Sequence, residues 1–356
     1  MAKAKRKATA KRKTATKRNP AGKAAPRRSG EKFHLHVAQA TELGDVFRVT
    51  PERMRAALKR AGMTDRVRVS YSENGEGLDG HLLTADAVFA WNFDRRDLAR
   101  RAPKLRWVHA HAAGVGHYMP LDWLPKGAVL TNSSGVHGPR AAEYAIMAVL
   151  MLNNRVPEMV TSQREGVWNQ VFNSGIAGKT LLVIGVGSVG GGVARWAKRF
   201  GLKVLGIRRT GKSAPGVDRM YKQKDLDRLL PQADFVIMCA PATAATRGML
   251  GRKQIGLMRK GAGLVNYSRA ALIDYDALRE RLERREVSAV LDVFDPEPLP
   301  SSSPLWKTPN LVITPHCSSD DSEVYTPRTL DLVFRNVKRL LAGKPLENIV
   351  DPVHQY

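Results

Sequence analysis

The 356-residue chain is predicted to be an α/β protein built on a doubly wound parallel sheet, on three observations. Short apolar runs rich in Val, Ile and Leu alternate with helix-patterned segments, the pattern of strands covered on both faces. A hydrophobic fraction of 43% suits a globular chain large enough for two cores. One run, Leu181-Leu-Val-Ile-Gly185-Val-Gly187-Ser188-Val189-Gly190, ends in glycines and opens directly into a helical pattern.

Taken in order, Phe33-His-Leu-His-Val-Ala starts an alternating strand, and Pro51 to Arg60 reads as a helix with proline in its first turn. Val67-Arg-Val-Ser-Tyr, Ala87 to Trp91, Leu105 to His109 and Val129-Leu follow as short strands separated by Gly, Asn and Pro turns. Pro139 then opens a helix through about Asn153 that is apolar almost all round, so it must be covered on several sides, between domains or between subunits. Further strands are read at Val204 to Ile207, Phe235 to Cys239, Gly263 to Asn266, Ser288 to Asp292 and Leu311 to Thr314, with a helix pattern from Asp274 to Arg284. A last helix, roughly Thr326 to Leu341, follows the final strand and is free to return to the first domain.

Charge and composition exclude some classes. Residues 1–32 carry 13 Lys/Arg against the single Glu31, a net +12 of the chain's +25. This tail has no large aliphatic or aromatic side chain apart from Met1, so it is expected to be disordered, either contacting phosphates non-specifically or standing as a solvated appendage. An organelle presequence fits it less well, because Lys exceeds Arg and no apolar helix face is present. No apolar run approaches the ~20 residues of a membrane span, and no secretory h-region follows the basic start. Cys239 and Cys317 fit neither a disulfide framework nor a metal knuckle, which points to a reducing, cytoplasmic setting. His109 and His111 share a strand face, but no convergent acid or thiol makes them a metal site, and none is expected.

The glycine run is a Rossmann-type signature. Gly185 allows the tight turn, Gly187 lets backbone approach a pyrophosphate, and Gly190 lets helix and strand touch; Ser188 and Val189 start the helix whose N-terminus faces the anion. The carboxylate that would accept a ribose 2′-hydroxyl at the end of the second strand is missing. Arg208, Arg209 and Thr210 stand there, which favours NADP(H) over NAD(H). Three later strands each end beside an ionisable residue, Arg269, Glu297 and His316. A guanidinium grips carboxylate and carbonyl oxygens, an imidazolium protonates a forming alkoxide, and a carboxylate holds the imidazole in one tautomer, so this set suffices to reduce a 2-keto acid beside a nicotinamide.

With these motifs in order, residues 33–356 resemble the D-isomer-specific 2-hydroxyacid dehydrogenase family, which includes glyoxylate/hydroxypyruvate reductases. The marks are Gly185 to Gly190, the loop from Pro241 to Thr246-Arg-Gly, Asn266-Tyr-Ser268-Arg269, Asp292-Val-Phe-Asp-Pro-Glu297-Pro and Thr314-Pro-His316. The resemblance implies that Arg269 binds substrate, that Glu297 and His316 form a proton relay, and that Asp292 anchors the nicotinamide carboxamide. It further implies that backbone amides of Ala113 and Gly114 hold the substrate carboxylate; Trp91 and Asn92, which follow a strand end of the first domain, are candidate lining on position alone. Pro241, Thr246 and Ser268 join the cofactor set. The implied architecture is a dinucleotide domain at 132–316 inserted into a smaller flavodoxin-like substrate domain formed by 33–131 and 317–356, with a homodimer built on the Pro139 helix.

Departures from the family pattern are Gly116 in place of an aspartate, Ala270 in place of a glycine, and Cys317-Ser-Ser after the histidine. Glu297 disfavours formate as substrate. An alternative reading is a dinucleotide-sensing corepressor-like protein whose tail touches nucleic acid.

Overall fold

The computed structural model describes residues 30–42 and 44–355; the basic tail and its expected disorder or nucleic-acid contact lie outside the described residues. The chain builds two parallel sheets. The first takes β1 (Phe33–Gln39), α1 (Pro51–Ala61), β2 (Val67–Glu73), α2 (Leu78–Leu82), β3 (Ala87–Ala90), α3 (Leu98–Arg101), β4 (Trp107–Ala110) and β5 (Val129–Asn132). Its strand order β2-β1-β3-β4-β5 is flavodoxin-like. Helix α1 starts where its sequence signals place it, with Thr50 Oγ1 accepting from Arg53 N at 3.2 Å, and stops at Gly62 in the left-handed region.

The second sheet follows α4 (Gly138–Asn153) and α5 (Val156–Arg164). It comprises β6 (Thr180–Ile184), α6 (Ser188–Arg199), β7 (Lys203–Ile207), β8 (Arg219–Tyr221), α7 (Leu226–Leu229), β9 (Phe235–Met238), α8 (Arg252–Leu257), β10 (Gly263–Asn266), α9 (Tyr275–Glu283), β11 (Ser288–Leu291) and β12 (Leu311–Ile313). The seven strands run in the order β12-β11-β10-β9-β6-β7-β8, so the winding reverses between β6 and β9. That switch point opens a crevice at the carboxyl ends of the strands, where ligands of such sheets bind.

The last helix, α10 (Tyr325–Leu341), returns to the first sheet. Its Leu330, Val333, Phe334 and Val337 join a core with Phe33, Leu35 and Met54, and its Asp331 accepts from Arg60 of α1 at 2.8 Å. The chain then pairs Ile349 with Thr131 beside β5.

Helix α4 departs from expectation in one respect. Its coverage comes largely from its own lobe, because Ala141, Tyr144, Ala145, Ala148 and Val149 pack into one core with strand and α6 residues such as Val183, Val193, Ile237 and Val265. Met147 is left 44% exposed. Short β8 and the helices α2 and α5 carry too few periodic residues to be read from sequence.

Candidate active site

The glycine turn divides its three positions by physical role. Gly185 has φ +100°, and a Cβ there would lie 2.4 Å from Ala240 N. A Cβ on Gly190 would lie 2.3 Å from the Gly185 carbonyl oxygen. At Gly187 it would meet nothing within 4 Å. Two glycines are therefore required by close backbone approach, and the middle one leaves open space ahead of α6. No side chain caps that helix, so the N–H groups of Ser188, Val189 and Gly190 have no partner within the helix. This open, donor-lined end fits a dinucleotide pyrophosphate.

Around it lie the other candidate cofactor residues. Arg208 follows β7, half-buried, with its backbone N–H donating to Tyr221 O at 3.1 Å. Arg209 and Thr210 beside it are exposed. On the far side of the switch point Thr246 Oγ1 donates to Pro241 O at 2.6 Å and accepts from Thr243 N at 2.8 Å, which closes the loop after β9. Ser268 Oγ donates to Ala240 O and so ties the turn after β10 to that loop.

The three ionisable residues come from the ends of neighbouring strands. His316 Nδ1 and Glu297 Oε2 are 2.6 Å apart, and Glu297 Oε1 accepts from Phe294 N at 2.7 Å. A carboxylate only accepts, so Nδ1 carries the proton and Nε2 is the nitrogen left for a ligand. His316 sits at φ +49°, in the left-handed region that costs a non-glycine residue energy, and is held there from both sides. Asp292, fully buried at the end of β11, provides that hold. Its Oδ1 accepts from Thr314 Oγ1 at 2.6 Å and Cys317 N at 3.1 Å, and its Oδ2 from Ser318 N at 3.3 Å and Ser318 Oγ at 2.5 Å. The serine that departs from the family pattern after the histidine thus completes the carboxylate's bonding.

Arg269 reaches across to the first lobe. A Cβ on Gly114 would lie 1.9 Å from Arg269 Nη2, so the guanidinium rests against the backbone of the Ala112 to His117 loop. The surrounding protein lowers the arginine pKa from its ordinary value, while Glu297 and Asp320 act in the opposite sense. The residue still keeps a solvent-accessible face in the cleft. Ala113 O accepts from Asn132 Nδ2 at 2.8 Å, which fixes the loop on β5. Trp91 packs its ring 5.0 Å from Phe47, and Asn92 is exposed. Neither side chain is brought into hydrogen-bond contact with Arg269, Glu297 or His316.

Two further residues are structural. Burial first, then Asp292 and Asp320, raises the Cys317 thiol, which keeps it from being a ready nucleophile. His109 is buried with Nδ1 2.7 Å from Thr131 Oγ1 and Nε2 3.2 Å from Ser133 Oγ, a satisfied core histidine. Sequence reasoning missed the anchoring of the His316 turn by Asp292; the hydroxyls at 314 and 318 flanking the histidine were the available signal.

Fold and cleft together define a two-lobed protein of the dinucleotide-dependent oxidoreductase class. Residues 146–318 match the model of the D-isomer specific 2-hydroxyacid dehydrogenase NAD-binding domain. A glyoxylate reductase of Korarchaeum cryptofilum is 33% identical over 261 residues, 70% of this chain and 77% of that protein. A D-3-phosphoglycerate dehydrogenase of Methanocaldococcus jannaschii is 33% identical over 263 residues, 72% of this chain, which spans only 49% of that longer protein. Among solved structures, a D-isomer specific 2-hydroxyacid dehydrogenase from Xanthobacter autotrophicus Py2 in complex with NADPH and MES superposes with a TM-score of 0.78 at 29% identity, covering 92% of this chain and all (100%) of that one. An NADPH-dependent glyoxylate/hydroxypyruvate reductase from Sinorhizobium meliloti, in complex with NADP and sulfate, gives a TM-score of 0.73 at 26% identity, covering 91% of this chain and 100% of that one. The chain belongs to the D-isomer specific 2-hydroxyacid dehydrogenase family and is an oxidoreductase of small 2-keto or 2-hydroxy acids.

Proposed function

We propose that the protein is an NADP(H)-preferring reductase of a short 2-keto acid such as glyoxylate or hydroxypyruvate, yielding the D-2-hydroxy acid. The observation that carries this reading is the 2.6 Å His316–Glu297 pair in the same cleft as Arg269. Gly185, Gly187, Ser188, Val189 and Gly190 would hold the pyrophosphate, and Arg208, Arg209 and Thr210 the 2′-phosphate. Pro241, Thr246, Ser268 and Asp292 would line the way to the nicotinamide, with Asp292 acting there through the turn it pins. When bound, the dinucleotide supplies the hydride that adds to the substrate's carbonyl carbon.

The chain's own residues do the rest. Arg269 and the amides of Ala113 and Gly114 hold the carboxylate and orient the carbonyl, with Trp91 and Asn92 at the outer wall. His316 Nε2 donates the proton that the forming alkoxide takes, and Glu297 keeps Nδ1 protonated so that Nε2 faces the substrate. The division at 33–131, 132–316 and 317–356 is supported by the sheet that most of each segment packs with. A homodimer is supported by apolar side chains left exposed on α4, on α5 and just beyond, Met147, Met159, Trp168 and Phe172. The free thiols support a cytoplasmic setting.

His316→Ala tests the reading: kcat should fall about 100- to 10,000-fold, the range for general acid catalysis, while NADPH affinity stays unchanged. Retained turnover overturns the assignment. Arg208→Asp should move the kcat/KM ratio toward NADH, and an unchanged ratio would remove Arg208 from coenzyme selection.

A further inference from the structure

Beside the Ala112 to His117 loop lies an open recess of about 430 Å³, lined by residues 92–96 after β3 and by residues 117–120, 122 and 123. Arg95 is set into it. Its guanidinium lies 5.0 Å over the Tyr118 ring and 5.2 Å from the Trp123 ring, and Nη1 donates to His117 O at 3.2 Å. Among the described residues no carboxylate pairs with it. Neighbouring Asp94 accepts from Arg96 Nε at 2.9 Å and also pairs with Arg101 at 3.2 Å, bonds that hold its carboxyl down at about 2. Asn92 Oδ1 accepts from Phe93 N at 3.0 Å, which leaves the amide N–H groups of that side chain as donors. Asp122, also lining the recess, is exposed to solvent.

We infer that this recess is a second anion subsite, centred on Arg95, which selects 2-keto acids carrying a carboxylate or phosphate at the end remote from the keto group. The inference rests on the keto-acid reading above. A fixed guanidinium with most of its donors free, beside an amide donor, asks for an oxyanion with several acceptor sites. One loop reaches both places: His117 lines the recess, and Gly114 three residues earlier abuts Arg269. Burial, then Arg95 and Arg269, hold the His117 imidazole below its ordinary range against the pull of its hydrogen bond to Trp91 O, so both guanidinium groups are felt at one ring. A short diacid would lay its keto-acid end on Arg269 and its distal anion on Arg95.

The test compares kcat/KM, with saturating NADPH, for monoanionic 2-keto acids, four- and five-carbon 2-keto diacids, and a 2-keto acid bearing a 3-phosphate. The wild-type enzyme should favour a distal anion, and Arg95→Gln should lower kcat/KM for that substrate about 10- to 100-fold, the scale of a charge-assisted hydrogen bond, with little change for monoanions. Arg95→Lys should fall between them because charge survives without the fork. Loss in the diacid arm alone identifies a carboxylate subsite, and loss in the phosphate arm alone a phosphate subsite. Turnover of monoanions with no distal preference, or a proportional loss on all substrates in Arg95→Gln, overturns the subsite and leaves the reductase standing. No turnover of any 2-keto acid by NADPH-bound protein removes both.

Discussion

The two sheets solve burial in different ways. In the seven-stranded sheet the strands other than β8 are mainly aliphatic, and no histidine occurs anywhere from 138 to 315. The five-stranded sheet instead buries His34, His36, His109 and His111. Two of them bridge pairs of hydroxyls: His36 Nδ1 lies 2.9 Å from Ser70 Oγ and its Nε2 2.9 Å from Ser72 Oγ, and His109 bridges Thr131 and Ser133 in the same manner, whereas His111 Nε2 is buried with no hydrogen-bond partner among the described residues. A neutral imidazole has one donor and one acceptor nitrogen, so a pair of hydroxyls satisfies it, whereas an imidazolium there would lack water. The cofactor lobe is thus held by close packing and backbone approach. The five-stranded lobe is held by packing that also depends on protonation.

The largest effect that would test this contrast is expected at the glycine turn. Gly190→Val drives side-chain atoms into the Gly185 carbonyl oxygen, which a Cβ at position 190 would approach to 2.3 Å, and backbone cannot yield there as a flexible side chain would. Overpacking of this kind costs about 1–3 kcal/mol, and dinucleotide affinity should fall with it, measurable by melting and by titration with the reduced coenzyme. A variant that binds the dinucleotide as tightly as the wild type would show that the turn tolerates separation of α6 from β6.

The next effect sharpens the other side. Burial pushes His36, His109 and His111 down to about 3 from an ordinary 6.5. Between those values the unfolded chain takes up protons that the folded lobe refuses, so stability falls as pH drops from 6.5 toward 3. His109→Gln can keep bonds to Thr131 and Ser133 without titrating. Its stability relative to wild type should therefore improve steadily as pH is lowered, read from urea melts at pH 7, 6, 5 and 4. Parallel curves for the two proteins would remove His109 from the acid response.

The smallest effect concerns the junction of α1 and α10. Arg60 and Asp331 are both near half exposed, so Arg60→Ala should cost about 0.2–1 kcal/mol in a denaturant melt. A larger loss would mean that the Arg60 stem, rather than its charge, holds the helices together.

Much of the site was legible because it is written in short segments. A strand, three glycines and a helix occupy ten residues, and Arg269, Glu297 and His316 each follow a readable strand end, so periodicity and turn chemistry were enough to nominate them. The missing acid after β7 was likewise visible as Arg208, Arg209 and Thr210. The bonding of Asp292 was less legible: its four hydrogen bonds within the chain pin the His316 turn, and their donors come from beyond a different strand.

By itself, the sequence determined the α/β class, the dinucleotide turn, the placement of three ionisable residues just past strand ends and the apolar faces of α1 and α10. Those properties depend on residues within a turn or two of one another. Tertiary structure alone decided that Gly114 meets Arg269, that α10 packs on α1, that pairs of hydroxyls satisfy the buried rings of His36 and His109, and that Arg95 stands over two aromatic rings beside the cleft. Each of these contacts joins residues from different elements, and strand order and side-chain direction bring them within reach, which no local pattern encodes.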